Sequence, residues 1–152
     1  MTVEDAIQID RATPADRDAL LALMERAHLP TDGLAAHLEA AFVARDGDRV
    51  VGSAAIEIYA DGGLLRSVAV DADRRGTGLG VRLTAAAIDE AQRRHLPALY
   101  LLTTTADRFF PRFGFEQITR DDVPVSVQDS IEFRGACPAS AVVMLKRLDA
   151  GR

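Results

Sequence analysis

Leu64-Leu65-Arg66-Ser67-Val68-Ala69-Val70-Asp71-Ala72-Asp73-Arg74-Arg75-Gly76-Thr77-Gly78-Leu79-Gly80 is the stretch from which the fold is read. Residues 64–70 form an apolar run of strand length, 71–77 a short charged loop, and a helical pattern opens at about Gly78. A strand that runs into a glycine-rich turn at a helix start gathers backbone N–H groups at one point, and that suits a phosphate. Glycines let the backbone approach the anion, while Arg74 and Arg75 add positive charge. The plainer reading is a loop that merely turns the chain. The stretch is not a P-loop, because Gly-Lys-Ser/Thr is missing, and it lacks the Gly-x-Gly-x-x-Gly dinucleotide fingerprint.

Upstream, Ile7 and Ile9 alternate with polar residues and predict a short first strand. Thr13-Pro14-Ala15-Asp16 reads as a helix start, with Leu20, Leu21, Leu23, Met24 and Ala27 on one stripe and Leu29-Pro30 as the stop. A second helical piece carries Leu34, Leu38 and Ala41. Residues 42–45, the turn Asp46-Gly47-Asp48 and residues 49–59 predict a β-hairpin, and Asp61-Gly62-Gly63 a second turn. Downstream, the helix from about Gly78 to Arg94 turns Leu79, Leu83, Ala86, Ala87 and Ala91 inward. Ala98–Leu102 follows as a buried strand, then a short helix with Phe109 and Phe110, a turn at Phe113-Gly114-Phe115 into another strand, and a last strand at Ala141–Leu145. Residues 119–140 read as polar and irregular. Antiparallel hairpins followed by a strand–helix–strand crossover imply a mixed α/β sheet with helices on its faces, in one domain over residues 1–152.

A net charge of −5 with no dense Lys/Arg tract argues against nucleic acid as partner. No apolar run is long enough to span a membrane, and the acidic start (Glu4, Asp5) lacks a signal-peptide pattern. The single cysteine, Cys137, has no internal disulfide partner, and a cytoplasmic location is expected by default. No metal is expected.

Residues 75–80 resemble the acetyl-CoA loop of the GCN5-related N-acetyltransferase (GNAT) superfamily, Arg/Gln-x-x-Gly-x-Gly/Ala, here preceded by a strand ending Val68-Ala69-Val70. Ala106-x-x-Phe109-Phe110-x-x-x-Gly114-Phe115 resembles the family's Ala-x-x-Phe-Tyr-x-x-x-Gly-Phe segment, in the expected order. Leu29-Pro30…Gly33-Leu34, residues 64–70, Leu102-Thr103-Thr104-Thr105-Ala106 and Ser130-x-Glu132-Phe133…Cys137-Pro138-x-Ser140-Ala141 resemble, more narrowly, the arsenic-resistance N-acetyltransferases.

The resemblance implies a mostly antiparallel sheet of six to seven strands, with a β-bulge and splay where the fourth and fifth strands part near Thr103. It also implies acetyl-CoA as cosubstrate. Arg75, Gly76, Thr77, Gly78, Leu79 and Gly80 hold its pyrophosphate. Val68, Ala69 and Val70 take pantetheine as an added strand, with Phe109 alongside, and an N–H near Val68 or Ala69 polarises the thioester carbonyl. The acceptor implied is the amine of a small anionic amino-acid-like molecule, arsenic- or phosphorus-containing glutamate mimics included. Protein or peptide acetylation and a non-catalytic acyl-CoA-binding module stay open beside it, as does a homodimer.

The sequence departs from the family pattern where many members carry a general-acid tyrosine, because Phe110 stands there. Glu57 is the remaining candidate base. With Asp61-Gly62 as a two-residue turn it lies opposite Arg66 and pairs with it instead. By alternation Arg66 shares a face with Leu64, Val68 and Val70, so it is either an acceptor clamp or Glu57's partner. Thr104 and Arg112 are further acceptor candidates, and Ser67 reads as structural.

Overall fold

In the computed structural model, residues 7–29, 31, 33–104, 106–128 and 141–148 are described. Pro30, Thr105 and the Ser130–Ser140 segment with Cys137, which sequence reading singled out, lie outside these residues. Among the described residues, seven strands form one open sheet: β1 (Ile7–Arg11), β2 (Ala41–Asp46), β3 (Arg49–Tyr59), β4 (Gly62–Val70), β5 (Ala98–Thr103), β6 (Glu116–Ile118) and β7 (Val142–Arg147). Their order is β1-β2-β3-β4-β5-β7-β6. Only β4 and β5 run parallel, joined by helix α2 (Leu79–Arg93) as a crossover. Helix α1 (Arg17–Ala27) follows a 3-10 turn at Pro14–Asp16, and a single helical turn, α3 (Val125–Gln128), comes late in the chain.

The predicted helix start is realised. The Asp16 carboxylate accepts from the Thr13 N–H at 2.8 Å and from its hydroxyl at 3.3 Å. Arg45 grips the same carboxylate through two nitrogens at 2.7 Å, which holds Asp16 down at about 2. Helix α1 ends one residue before the expected Leu29-Pro30 stop. His28 takes a left-handed φ of 59°, and the Leu29 N–H reaches back to the Met24 carbonyl at 2.9 Å. The next piece is a 3-10 helix, Leu34–Ala40, and Ala41 already belongs to β2 rather than to its face.

The turn before β4 is Ala60-Asp61, not Asp61-Gly62-Gly63, because Tyr59 pairs with Gly62. Gly62 and Gly63 lie inside the strand for a packing reason. A Cβ on Gly63 would sit 2.8 Å from Ile56 Cγ2 and 3.0 Å from Leu99 Cδ2. The shift puts Glu57 opposite Leu64 and Arg66 opposite Ala55.

Each face of the sheet is covered from a different helix. Leu79, Leu83, Ala87 and Ala91 of α2, spaced four apart, pack on Ala54, Ile56, Leu65, Leu99 and Leu101. Leu20, Leu23 and Met24 of α1 pack on Ala41, Val43, Ala55 and Ala69. On that same face by register, Val127 of α3 joins Leu64, Tyr100, Val143 and Leu145. No helix among the described residues is long and apolar enough to cross a membrane.

Glu90 ties α2 to the edge strand. It is buried, accepts from Arg11 of β1 at 2.5 and 3.0 Å, and from Arg93 and Arg94 one turn on. These partners lower its carboxyl to about 2, with the Arg11 hydrogen bonds contributing most. A carboxyl depressed in the folded state stabilises above its unfolded pKa, and that contribution is lost as pH falls toward the folded value. Glu90→Gln is therefore expected to cost about 2 kcal/mol at pH 7, after allowance for the half-exposed arginines. The gap to wild type should close between pH 4.5 and 2, as measured by urea denaturation across that range.

Candidate active site

The centre of the site is the point at which β4 leaves β5. The parallel ladder consists of Gly63 with Leu99 and Leu64 with Tyr100 and then stops, while β5 goes on pairing with β7 as far as Thr103. From Arg66 onward β4 pairs only with β3 among the described residues. There the β3–β4 register slips: Arg66 faces Ala55 but Ala69 faces Ser53, so Ser67 and Val68 together oppose Ala54. This is a β-bulge, with Ser67 at a φ of 58° that non-glycine residues avoid.

The bulge corrects one expectation. Arg66 shares a face with Leu64 and, beyond the slip, with Ala69, on the α1 side. Val68 and Val70 turn to the α2 side instead. Period-two alternation fails because the extra residue reverses the faces. Arg66 is also inaccessible. Its side chain is 0% exposed and that of Glu57 1%, with Arg66 Nη1 donating to Glu57 Oε2 at 2.6 Å. The two are diagonal neighbours rather than directly opposite. Tyr59 Oη donates a short hydrogen bond to the other oxygen, Glu57 Oε1. Both carboxylate oxygens of Glu57 are thus engaged from inside the fold.

Two further contacts hold the bulge, and sequence reading did not single them out. The buried Ser53 hydroxyl donates to the Ser67 carbonyl at 2.6 Å, and Arg66 Nε donates to Ser67 Oγ at 3.1 Å. No local pattern marks Ser53; its significance lies in its partner across the sheet.

Beyond β4, Asp71 opens the loop that leads to α2. Its buried carboxylate accepts from Arg26 of α1 at 3.0 and 3.2 Å and from Arg49 of β3 at 3.1 Å. Arg74 pairs closely with Asp46, and the Thr77 hydroxyl donates to the Arg74 carbonyl at 2.6 Å. The loop is therefore fixed from outside and from within. Gly76 (φ 81°) and Gly78 (φ 80°) are left-handed, and a Cβ on either would meet nothing within 4 Å. Their requirement is conformational, and the space above them is open.

That space is a cleft of about 300 Å³ lined by Val70, Arg74, Arg75, Gly76, Gly78, Leu79, Gly80, Val81, Phe109 and Arg112. It sits at the N-terminus of a 15-residue helix whose first-turn N–H groups have no carbonyl partner in the helix. Arg75 and Arg112 have no carboxylate partner among the described residues. Arg112 lies over the Phe109 ring, 4.6 Å from its centre, and donates to the Phe109 carbonyl at 3.0 Å. The room, the donors and the two cations without a carboxylate partner fit a diphosphate.

Sequence-selected residues thus fall into three places. Val70, Arg75, Gly76, Gly78, Leu79, Gly80 and Phe109 meet in the cleft; Thr77 supports it from behind; Val68 and Ala69 follow the bulge. Arg112, expected on the acceptor side, lines the cleft, because a 3-10 turn at Phe110–Phe113 brings it back over Phe109. Thr104 is exposed just past β5. Phe110 is buried edge-on against Phe109 and Phe115, with ring centres 5.1 and 5.7 Å apart. Among the described residues no group of three metal-ligating side chains comes together.

The family profile described as Acetyltransferase (GNAT) domain matches residues 37–117, more than half of the chain. Among solved structures, the chain is similar to N-acetylglutamate synthase from Neisseria gonorrhoeae complexed with coenzyme A and L-arginine. The identity is 24% and the TM-score 0.77 over 94% of this chain, which spans only 33% of that protein's length. It is similar to Rv2747 from Mycobacterium tuberculosis in complex with CoA and NLQ, at 25% identity and a TM-score of 0.77, covering 93% of this chain and 99% of that one. The ribosomal-protein-S18-alanine N-acetyltransferase from Escherichia coli shares the fold at 21% identity and a TM-score of 0.70, over 93% of each chain. No curated protein matches. The bulged and splayed β4, the glycine turn and the profile match agree: the chain belongs to the GNAT acetyltransferase family.

Proposed function

We propose that the protein is an acetyl-CoA-dependent N-acetyltransferase whose acceptor is the amine of a small, anionic, amino-acid-like molecule. One observation carries the reading: β4 loses its β5 partner and bulges beside a helix-capped cleft holding two arginines without a carboxylate partner among the described residues. The cleft takes the diphosphate of coenzyme A, with Arg75, Arg112 and the α2 N-terminus as counter-charge. Val68–Val70 offers pantetheine a strand to pair with, and an N–H at Val68 or Ala69 polarises the thioester carbonyl. Coenzyme A bound to the Neisseria and Mycobacterium relatives supports this side, and the synthase's acetylglutamate chemistry supports an amino-acid acceptor. The finer reading, in which acceptors include arsenic- or phosphorus-containing glutamate mimics, rests on the resemblance of residues 64–70 and 102–106 to the arsenic-resistance subgroup.

The acceptor nitrogen, as free amine, attacks the thioester carbonyl; the C–N bond forms, the C–S bond breaks and coenzyme A departs as thiolate. A thiol near pKa 8.5 leaves without prior protonation, so Phe110 in the tyrosine position is compatible with turnover. Of the two roles considered for Arg66, the buried pair with Glu57 favours holding β4 over clamping an acceptor. With both oxygens engaged, Glu57 is a poor base, and the amine's proton passes to solvent. Arg112 belongs to the cofactor side, leaving Thr104 on the acceptor side.

Thiol release from acetyl-CoA, followed over an amine panel, tests the reading. Turnover with glutamate-like and phosphinothricin-like amines is expected; turnover with peptides alone moves the acceptor to protein, and binding without turnover leaves a non-catalytic module. Gly78→Glu places a carboxylate where phosphate is to bind, although a helix N-terminus itself favours that charge. The fold should tolerate it at a cost of about 1 kcal/mol for the left-handed φ, while acetyl-CoA affinity by calorimetry falls more than about tenfold. Arg112→Ala should raise the KM for acetyl-CoA about fivefold at low salt, less at high salt, and leave the acceptor KM unchanged.

A further inference from the structure

We infer that Ser53 and Ser67 form a clamp, backed by the Arg66–Glu57 pair, that sets the β4 bulge at the angle needed to polarise the thioester. The inference rests on the acetyl-transfer reading and names positioning residues for it. Ser67 holds a φ of 58° without being glycine, a conformation costing about 1 kcal/mol that persists only where neighbours impose it. Two side chains impose it. Ser53 Oγ holds the Ser67 carbonyl from β3 at 2.6 Å, and Arg66 Nε holds the Ser67 hydroxyl at 3.1 Å. Arg66 is in turn fixed by Glu57 at 2.6 Å, and Glu57 by Tyr59.

All of these groups except Tyr59 are at least nine-tenths buried, so the chain of contacts is shielded from competing water. It ends on the residue immediately before Val68, the first of the two residues proposed to face the carbonyl. Because Ser67 and Val68 lie outside the regular β3–β4 register and have no β5 partner, ladder pairing does not fix the orientation of the peptide between them. The clamp removes that freedom, and pre-orientation of a hydrogen-bond donor is worth orders of magnitude in rate. On this account the bulge is an ordered donor before substrate arrives.

Removing Arg66 would strand the Glu57 carboxylate, so the test uses the serines. Infrared spectra of bound [1-13C]acetyl-CoA read the carbonyl directly, without an acceptor. In the wild type the stretch should lie below that of free acetyl-CoA; in Ser53→Ala most of that shift should vanish. Ser53→Ala should also lower kcat about tenfold, leave the acetyl-CoA Kd within twofold, and be rescued by Ser53→Thr. Ser67→Gly relieves the left-handed strain but leaves the buried Arg66 Nε without its Ser67 Oγ partner, so it should melt lower than wild type as well as turn over more slowly. A wild type that turns over while Ser53→Ala keeps the same carbonyl shift and kcat overturns the clamp alone. A wild type with neither shift nor turnover on any amine overturns the acetyl-transfer reading and the clamp with it.

Discussion

A strand cannot leave one neighbour and keep the other without paying in geometry, and β4 does this in mid-sheet. It remains bonded to β3 along its whole length but is released by β5 after Leu64. The glycines at 62 and 63 allow the two strands to start in close contact, since a side chain at Gly62 would meet the Ala98 carbonyl at 2.9 Å. The bulge at Ser67 then re-aims the freed half. Everything else follows from that parting. β5 is kept straight by β7, α2 fills the space beneath the V on one face, and the loop after Val70 delivers its glycines at the helix start.

The cradle was legible in the sequence because its information is local. Glycines at alternate positions before an amphipathic run state both the left-handed turns and the helix start, and the structure places both there. The bulge was not legible. Arg66-Ser67-Val68 continues an alternating pattern, and nothing in serine announces a left-handed φ, which is imposed by Ser53 from another strand. Asp61-Gly62-Gly63 misled in the opposite direction: its glycines serve close strand packing, and the turn lies one residue earlier. Arg112 shows a signal that was available, since its spacing of three from Phe109 suits one helical turn and places the cation on the ring.

Charge is allotted with similar economy. The chain is acidic overall, yet its cleft is built for an anion. Most nearby arginines are already committed: Arg26 and Arg49 to Asp71, Arg74 to Asp46, Arg45 to Asp16. These pairs hold the loop's frame in place and cancel charge that would otherwise attract unrelated polyanions. Arg75 and Arg112, which line the cleft, have no carboxylate partner among the described residues. On the proposed reading, selectivity for a compact diphosphate would come from these two charges on a rigid frame rather than from a basic surface.

The same economy governs protons. Phe110 has none to supply, and it packs edge-on against Phe109 and Phe115. The Glu57 oxygens are occupied by Arg66 and Tyr59, so releasing it as a base would strand a buried cation. On the proposed reading, with no acid or base at the obvious positions, the barrier would be lowered chiefly by binding geometry and by polarisation of the carbonyl. That shifts the burden to the backbone of the bulge, and it gives the buried Glu57–Arg66 pair a reason to exist. In the proposed clamp the buried Glu57–Arg66 pair would act by fixing the orientation of the bulge, the role that remains for a buried ion pair whose desolvation offsets its attraction.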